Sequence, residues 1–179
     1  MEKCEPFLRA LCENLIDQDP SLKTIGYSGR KIGHEEAGAL ADALETNPHL
    51  TTLGLWGNSL GVLGMTELSR ALKTNDVITT ANFQENMISD KAAIQLGGAL
   101  AMNSALTSVG VGDNEIGGEG AKALAAALIE NQSVLYFTAF QNRVGSCLLS
   151  LGVLILLALM CARWGTLEPL RSARSSCKM

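Results

Sequence analysis

Residues 50–61 read LTTLGLWGNSLG, and the same order of apolar, small and polar residues returns at 78–89 as ITTANFQENMIS. Further copies begin at Leu22, Leu106 and Val134, so that each of the five units begins 28 residues after the one before it. A constant period of this length indicates one structural unit that is repeated along the chain and stacked on its own copies.

The first part of every unit alternates apolar residues with polar or small ones. The two apolar columns are Ile25, Leu53, Ala81, Val109 and Phe137, and then Tyr27, Leu55, Phe83, Val111 and Ala139. Such alternation is typical of a short strand with one buried face. A third apolar column follows at Ile32, Leu60, Ile88, Ile116 and Val144, and after it a Gly or Ser column, where we expect the chain to turn.

The second part of each unit carries leucines four residues apart. These pairs are Leu40 and Leu44, Leu68 and Leu72, Leu96 and Leu100, and Leu124 and Leu128, with small residues at Ala41, Ser69, Gly97 and Ala125. The spacing predicts one buried face of an amphipathic helix. An Asn column follows at Asn47, Asn75, Asn103 and Asn131. Because Asn tolerates the left-handed conformation, we expect this column to close the helices at their C-termini.

One strand-turn-helix unit is too small to bury both apolar stripes alone, so the pattern predicts an α/β solenoid with a parallel sheet inside and helices outside. The run apolar-x-x-apolar-x-apolar-x-x-Asn-x-apolar resembles the leucine-rich repeat. Its long helical half resembles the ribonuclease-inhibitor subfamily and the repeat regions of nucleotide-binding leucine-rich-repeat receptors. The resemblance covers about 22–145 and implies a right-handed horseshoe, with the sheet on the concave face and the helices on the convex face.

The Asn at the ninth motif position stands at Asn58, Asn86, Asn114 and Asn142. The resemblance implies that these side chains form a ladder of hydrogen bonds to backbone groups left unpaired where the strands bend. The first unit has Arg30 at this position, and Arg cannot accept a hydrogen bond. We therefore expect the first unit to open the ladder as an imperfect cap.

The repeat divides the chain into four segments. Residues 1–21 are predicted to form a capping helix, with Leu8, Cys12, Leu15 and Ile16 on one face, and 22–145 form the solenoid. Residues 146–162 are predicted to form a hydrophobic helix, and 163–179 a disordered basic tail. The N-terminal residues mix charged and apolar side chains and lack the uninterrupted apolar stretch of a secretion signal, which favours a cytoplasmic location.

The segment 144–162 carries no charge. At a rise of 1.5 Å per residue, about nineteen helical residues extend roughly 28 Å, close to the ~30 Å hydrocarbon thickness of a bilayer. A transmembrane anchor is one interpretation. A second is a helix that packs Leu149, Val153 and Leu156 on the last unit and leaves its other face for a partner, and a third is a truncated or misassembled gene end.

Composition argues against several functional classes. A net charge of −4 and a pI near 5.2 do not favour nucleic acid as a partner, because phosphate binding requires clustered Lys and Arg. The five cysteines leave the repeat region empty, and the chain has only two histidines, so neither a disulfide framework nor a metal site is expected. We predict no cofactor and, since no nucleophile and base are paired, no enzymatic activity.

The resemblance implies that the side chains alternating with the buried strand residues point into the concave face, the usual contact surface of the family. Trp56 and Phe140 are aromatic there, and aromatic residues are enriched among interface anchors. Glu85 and Asp113 add an acidic strip but lie one unit apart, which disfavours a catalytic pair. The predicted partner-binding residues are Trp56, Asn82, Gln84, Glu85, Asp113, Tyr136 and Phe140.

These features predict a module that binds a protein partner of unknown identity. Two other interpretations stay open. The chain is similar to the repeats of the GTPase-activating protein of the small GTPase Ran, although that family has more repeats and an acidic tail. The other interpretation is that the chain is a fragment of a longer repeat receptor, with no independent role. An alternative interpretation gives these aromatic residues no role in binding. A single exposed Trp is common on protein surfaces, and the segment after the last unit would then cover Phe140.

Overall fold

The computed structural model describes residues 10, 12–13, 15–17 and 19–143. In this part of the chain, strands and helices alternate, and the strands form one parallel sheet in sequence order from β1 to β5. The elements are β1 (Thr24–Gly26), α1 (His34–Glu45), β2 (Thr52–Gly54), α2 (Gly61–Thr74), β3 (Thr80–Asn82), α3 (Asp90–Met102), β4 (Ser108–Gly110), α4 (Gly118–Glu130) and β5 (Tyr136–Thr138). The predicted leucine-rich-repeat solenoid is confirmed.

The period of the sequence sets the strand register. Thr24 lies opposite Thr52, and Thr52 lies opposite Thr80, so each strand residue pairs with its equivalent one unit later. The same register continues through β5. Because a slip by one residue would turn every apolar strand residue away from the core, the strict period maintains one buried face across the whole sheet.

The core lies between this sheet and the helices. The first apolar strand column is buried at Ile25, Leu53, Ala81 and Val109, and both predicted helix columns of leucine are fully buried. The small column is buried as well, and an added Cβ at Gly97 would lie only 3.2 Å from the carbonyl oxygen of Ala123 on α4. A larger residue at Gly97 would therefore push α3 and α4 apart.

The predicted ladder of Asn side chains at the strand ends is confirmed. Asn114 donates through Nδ2 to the carbonyl oxygens of Phe83 and Val111, both at 3.0 Å. Its Oδ1 accepts from the backbone N–H groups of Asn86 at 2.8 Å and Ile88 at 3.0 Å. In the first unit, Arg30 and Ile32 donate their backbone N–H groups to Asn58 Oδ1, each at 3.0 Å.

The predicted left-handed conformation of the helix-ending Asn column is wrong. Asn75, Asn103 and Asn131 have ψ between 122° and 132° and are extended. Their side chains instead form a second ladder between units. Asn103 Nδ2 donates to the carbonyl of Leu72 at 2.6 Å, and its Oδ1 accepts from the N–H of Leu106 at 2.7 Å. Each Asn thus closes the preceding helix and starts the next strand.

Asp90 caps a helix of the following unit. Its Oδ1 accepts the backbone N–H groups of Gly117 at 2.6 Å and Gly120 at 2.9 Å, at the start of α4. An added Cβ at Gly120 would lie 2.7 Å from the same oxygen. The two glycines therefore leave room for a carboxylate at the positive end of the α4 dipole.

On the outer face of the helices, Arg70 of α2 contacts the carboxylates of Asp42, Glu45 and Glu67. Asp42 and Glu45 lie on α1, so the cluster links two units. Hydrogen bonds, first to Asp42 and then to Glu67, raise the pKa of Arg70. The side chain of Arg70 is 43% exposed, which limits the stabilisation that these ion pairs supply.

Of the segments predicted outside the solenoid, the structure describes only part of the capping helix. The described residues of the predicted capping helix are helical up to Ile16, with Cys12 and Leu15 buried. Ile16 is 48% exposed, so the prediction that it shares one face with Cys12 and Leu15 is wrong. Successive helical residues point in directions about 100° apart, and Ile16 therefore lies beside the buried face that contains Leu15. Leu8 and the segments 146–162 and 163–179 lie outside the described residues. Among the helices described, none has the length and apolar character that crossing a bilayer requires.

Candidate binding surface

The face of the sheet that points away from the helices is called the concave face. In β1 to β4 the central residue is buried against the helices, and in β5 the central residue, Phe137, is half-buried. The two neighbours of each central residue lie on the opposite side of the sheet. A third residue on this side lies two positions after the end of each strand. The concave face has three rows: Thr24, Thr52, Thr80, Ser108 and Tyr136; Gly26, Gly54, Asn82, Gly110 and Thr138; and Ser28, Trp56, Gln84, Gly112 and Phe140.

None of the positions in these three rows carries a formal charge. The first row consists of hydroxyl-bearing residues. In the column beside it, the hydroxyls of Thr51, Thr79 and Thr107 donate to carbonyl oxygens of the preceding unit at 3.1–3.2 Å. No such bond within the described residues involves the hydroxyls of Thr52 and Thr80, so both can donate to and accept from a ligand.

Large aromatic side chains lie exposed in the first and third rows. Trp56 is 42% exposed, Phe140 is 50% exposed and Tyr136 is 70% exposed. Trp56 follows β2 and Phe140 follows β5, so three interstrand spacings of about 4.8 Å place the two some 14 Å apart in the same row. Tyr136 lies at the opposite end of β5, on the first row.

The glycines of β4 and the turn after it form a covered floor between the aromatics. Gly110 and Gly112 are buried. An added Cβ at Gly112 would lie 3.0 Å from the ring of Phe140, and one at Gly110 would lie 3.2 Å from Gln84 Nε2 and 3.3 Å from Thr138 Oγ1. Both glycines lie on the concave face, but side chains of the neighbouring units lean over them and cover them.

The predicted acidic strip lies along the edge of the concave face, where the chain leaves the strands. Glu85 and Asp113 have φ of 51° and 53°, in the left-handed region that few residues other than Gly, Asn and Asp adopt readily. They line one cleft together with Glu115, and Arg143 Nη2 lies 3.2 Å from Glu115 Oε1. We call Glu85, Asp113 and Glu115 the acidic rim.

The structure thus divides the seven predicted contact residues among four places. Trp56, Gln84 and Phe140 share the third row, and Asn82 lies in the middle row, in the same unit as Gln84. Glu85 and Asp113 form part of the rim, and Tyr136 is separate at the far end of β5. Within the described residues, no three His, Cys, Asp or Glu side chains are grouped in a way that could hold a metal ion.

Comparisons with known proteins agree with this fold. A sequence profile of the leucine-rich repeat matches residues 103–125, and no curated protein matches the sequence. The chain is similar to a structure described as Leiomodin-1 Actin-Binding Site 2, with a TM-score of 0.78 and 20% identity over 97% of this chain and 99% of that chain. It is also similar to the tropomodulin C-terminal domain of Caenorhabditis elegans, with a TM-score of 0.65 and 16% identity over 94% and 98% of the two chains.

Proposed function

We propose that this leucine-rich-repeat solenoid is a protein-interaction module that docks a protein partner on its concave face. The observation that carries the proposal is the exposure of Trp56 and Phe140 on a sheet face that no described element covers. The proposed contacts are Trp56, Asn82, Gln84, Glu85, Asp113, Tyr136 and Phe140. The proposal involves no catalytic step and no cofactor.

The area of Trp56 left uncovered is large enough to anchor a partner. A Trp side chain buries up to about 250 Å², so covering its exposed 42% removes about 100 Å² from water. At about 25 cal/mol/Å², this burial contributes about 2.5 kcal/mol. Such a contribution is typical of a hot-spot residue, whereas the hydroxyl-bearing and Gly positions around it add complementarity more than binding energy.

The narrower parts of the proposal rest on the repeat itself. The ribonuclease-inhibitor-like subtype is supported by the 28-residue units and by helices of 12–14 residues. A cytoplasmic location stays a prediction. Membrane anchoring through 144–162, a Ran-type GTPase-activating role and an origin as a fragment of a longer receptor stay predictions.

Site-specific photo-crosslinking tests the proposal. A photoreactive benzoylphenylalanine is introduced at Gln84, on the concave face, and in a matched control at Gln95, an exposed residue on the outer side of α3. We expect protein adducts from position 84 that disappear when Trp56→Ala is added, and none from position 95. Equal adduct formation at both positions would overturn the proposal. So would an adduct yield at position 84 that Trp56→Ala leaves unchanged.

Actin is the first defined partner to test, because one similar structure carries an actin-binding site in its description. Purified monomeric and filamentous actin are titrated against the full chain, and the measurement is repeated with Trp56→Ala. We expect actin, if it is the partner, to lose about ten- to one-hundred-fold in affinity with the variant, the range set by about 1.4–2.8 kcal/mol. Equal binding of both proteins would exclude the concave face as the actin site.

A further inference from the structure

We infer that the partner presents an uncharged polypeptide segment to the concave face and a basic residue to the acidic rim. This inference rests on the proposed function and specifies the chemistry of the partner at that same surface. The features that support it are the lack of charge in all three rows, the unbonded hydroxyls of the first row, and the carboxylates that border the third row.

The lack of charge on the concave face contrasts with the rest of the described chain. The outer side of α1 and α2 carries the cluster around Arg70, and the loops at the strand ends carry Glu85, Asp113 and Glu115. A charged partner side chain held over the middle row would lose its hydration and meet no opposite charge, which is costly. The face therefore selects uncharged groups at its centre.

The polar groups of the face match the backbone of an extended polypeptide. The hydroxyls of Thr52 and Thr80 can each donate and accept, and Gln84 adds both an amide donor and an acceptor. Four interstrand spacings of about 4.8 Å give a width of about 19 Å, which about six extended residues at 3.3 Å each would cross. Trp56 and Phe140 supply apolar contacts about 14 Å apart, or four residues along such a segment.

The acidic rim favours a basic side chain at the edge of the bound segment that lies next to the third row. Glu85 and Asp113 directly follow Gln84 and Gly112 of the third row. Arg143 neutralises only part of the rim, through its contact with Glu115. A Lys or Arg that extends from the segment past the third row would thus find carboxylates within reach, whereas an Asp or Glu there would be repelled.

The inference is tested by selection from a library of random peptides of about ten residues displayed on phage, with the full chain immobilised. We expect the enriched peptides to share an uncharged stretch of about six residues with one Lys or Arg beside it. Exchanging that basic residue for Gln should weaken binding roughly two- to five-fold, the range of exposed ion pairs. Phage that bind the Trp56→Ala variant as well as the unchanged protein are discarded, because their peptides bind outside the concave face.

Variants that change only charge provide the controls. In the double variant Glu85→Gln and Asp113→Asn, the preference for a basic residue should vanish while uncharged peptides still bind. The new Asn retains a residue type that tolerates a positive φ at position 113. Glu119→Gln on the outer side of α4 removes a carboxylate away from the face and should change nothing. Thr80→Glu should shift the selected stretch towards one that contains Lys or Arg.

The outcomes separate this inference from the proposed function. Enrichment of peptides with acidic or charged central residues, or a basic preference that survives the double variant, overturns the inference, but the proposed function stands if binding still depends on Trp56. Finding no peptide that depends on Trp56 overturns the inference as well. The proposed function then depends on the crosslinking result alone. Displacement of the selected peptides by neutral oligosaccharides but not by protein segments would contradict both.

Discussion

Replacing Leu96 with Ala tests how the solenoid is stabilised. Leu96 is fully buried on α3, between α2 and α4, which pack on both sides of that helix. The substitution removes the equivalent of about three methylene groups, worth about 2.4 kcal/mol at ~0.8 kcal/mol each. A cavity term adds to this, because stacked neighbours on both sides limit relaxation. Leu→Ala changes in cores span about 2–5 kcal/mol, and we expect a loss of about 3–4 kcal/mol.

The free energy of unfolding is measured by urea titration followed by circular dichroism. For an m-value of about 2 kcal/mol/M, typical of small proteins, the midpoint should fall by about 1.5–2 M. Ile94→Ala on the same helix is the matched control, because Ile94 is 45% exposed and should cost less than about 1 kcal/mol. A loss below about 0.5 kcal/mol for Leu96→Ala, or equal losses for the two variants, would refute the placement of the core.

Three further substitutions test the contacts between units, each by the same urea titration. Asp90→Ala removes the acceptor for two N–H groups of α4 and should cost about 0.5–2 kcal/mol; no loss would show that water caps α4 equally well. Asn103→Ala leaves buried backbone groups unpaired at about 1–3 kcal/mol each, so a loss of about 3 kcal/mol or more is expected, and a loss below 1 kcal/mol contradicts the second ladder. Arg70→Gln should cost less than about 1 kcal/mol, and the loss should shrink in 1 M NaCl, where screening acts within about 3 Å; a salt-independent loss would argue for packing instead.

The fold could be predicted because one period controls both the strands and the helices. Once Leu53 and Leu96 are assigned to buried columns, every equivalent residue in the other units follows, and the register follows with them. The same pattern returns in five units, so a single deviation, such as the small Ala81 in a column of larger apolar residues, does not change the prediction. Ile16 was misplaced because it lies before the repeat, where no equivalent position constrained it.

The role of the helix-ending Asn column could not be predicted from position alone. An Asn after a helix is compatible with a left-handed cap, and the sequence does not show whether its side chain bonds within its own unit or across to the next. The 28-residue recurrence of Asn75, Asn103 and Asn131 was the available signal for a ladder. Asp90 gave a weaker signal, because only one unit has the carboxylate, and its partners are glycine N–H groups in the following unit.

The sequence predicted which residues lie on the candidate surface, but not which of them neighbouring side chains cover. Alternation along a strand tells which side a residue faces, but not how far a neighbouring side chain leans. Phe140 covers Gly112, and Gln84 and Thr138 crowd Gly110, so the open part of the face is narrower than the rows suggest. The exposure of Trp56 agrees with its position two residues after β2, where only Ser28 and Gln84 lie beside it in the row.

Fluorescence quenching of Trp56 tests the central claim most directly. With Trp164→Phe, Trp56 becomes the only Trp in the chain, and the neutral quencher acrylamide reports its accessibility in the free protein and in complex with the partner identified by crosslinking at position 84. We predict efficient quenching in the free protein and clear protection in the complex. Trp56→Ala should weaken binding while the urea midpoint stays nearly unchanged. A shielded Trp56 in the free protein, or quenching that the partner leaves unaltered, would contradict the assignment of the concave face as the binding surface.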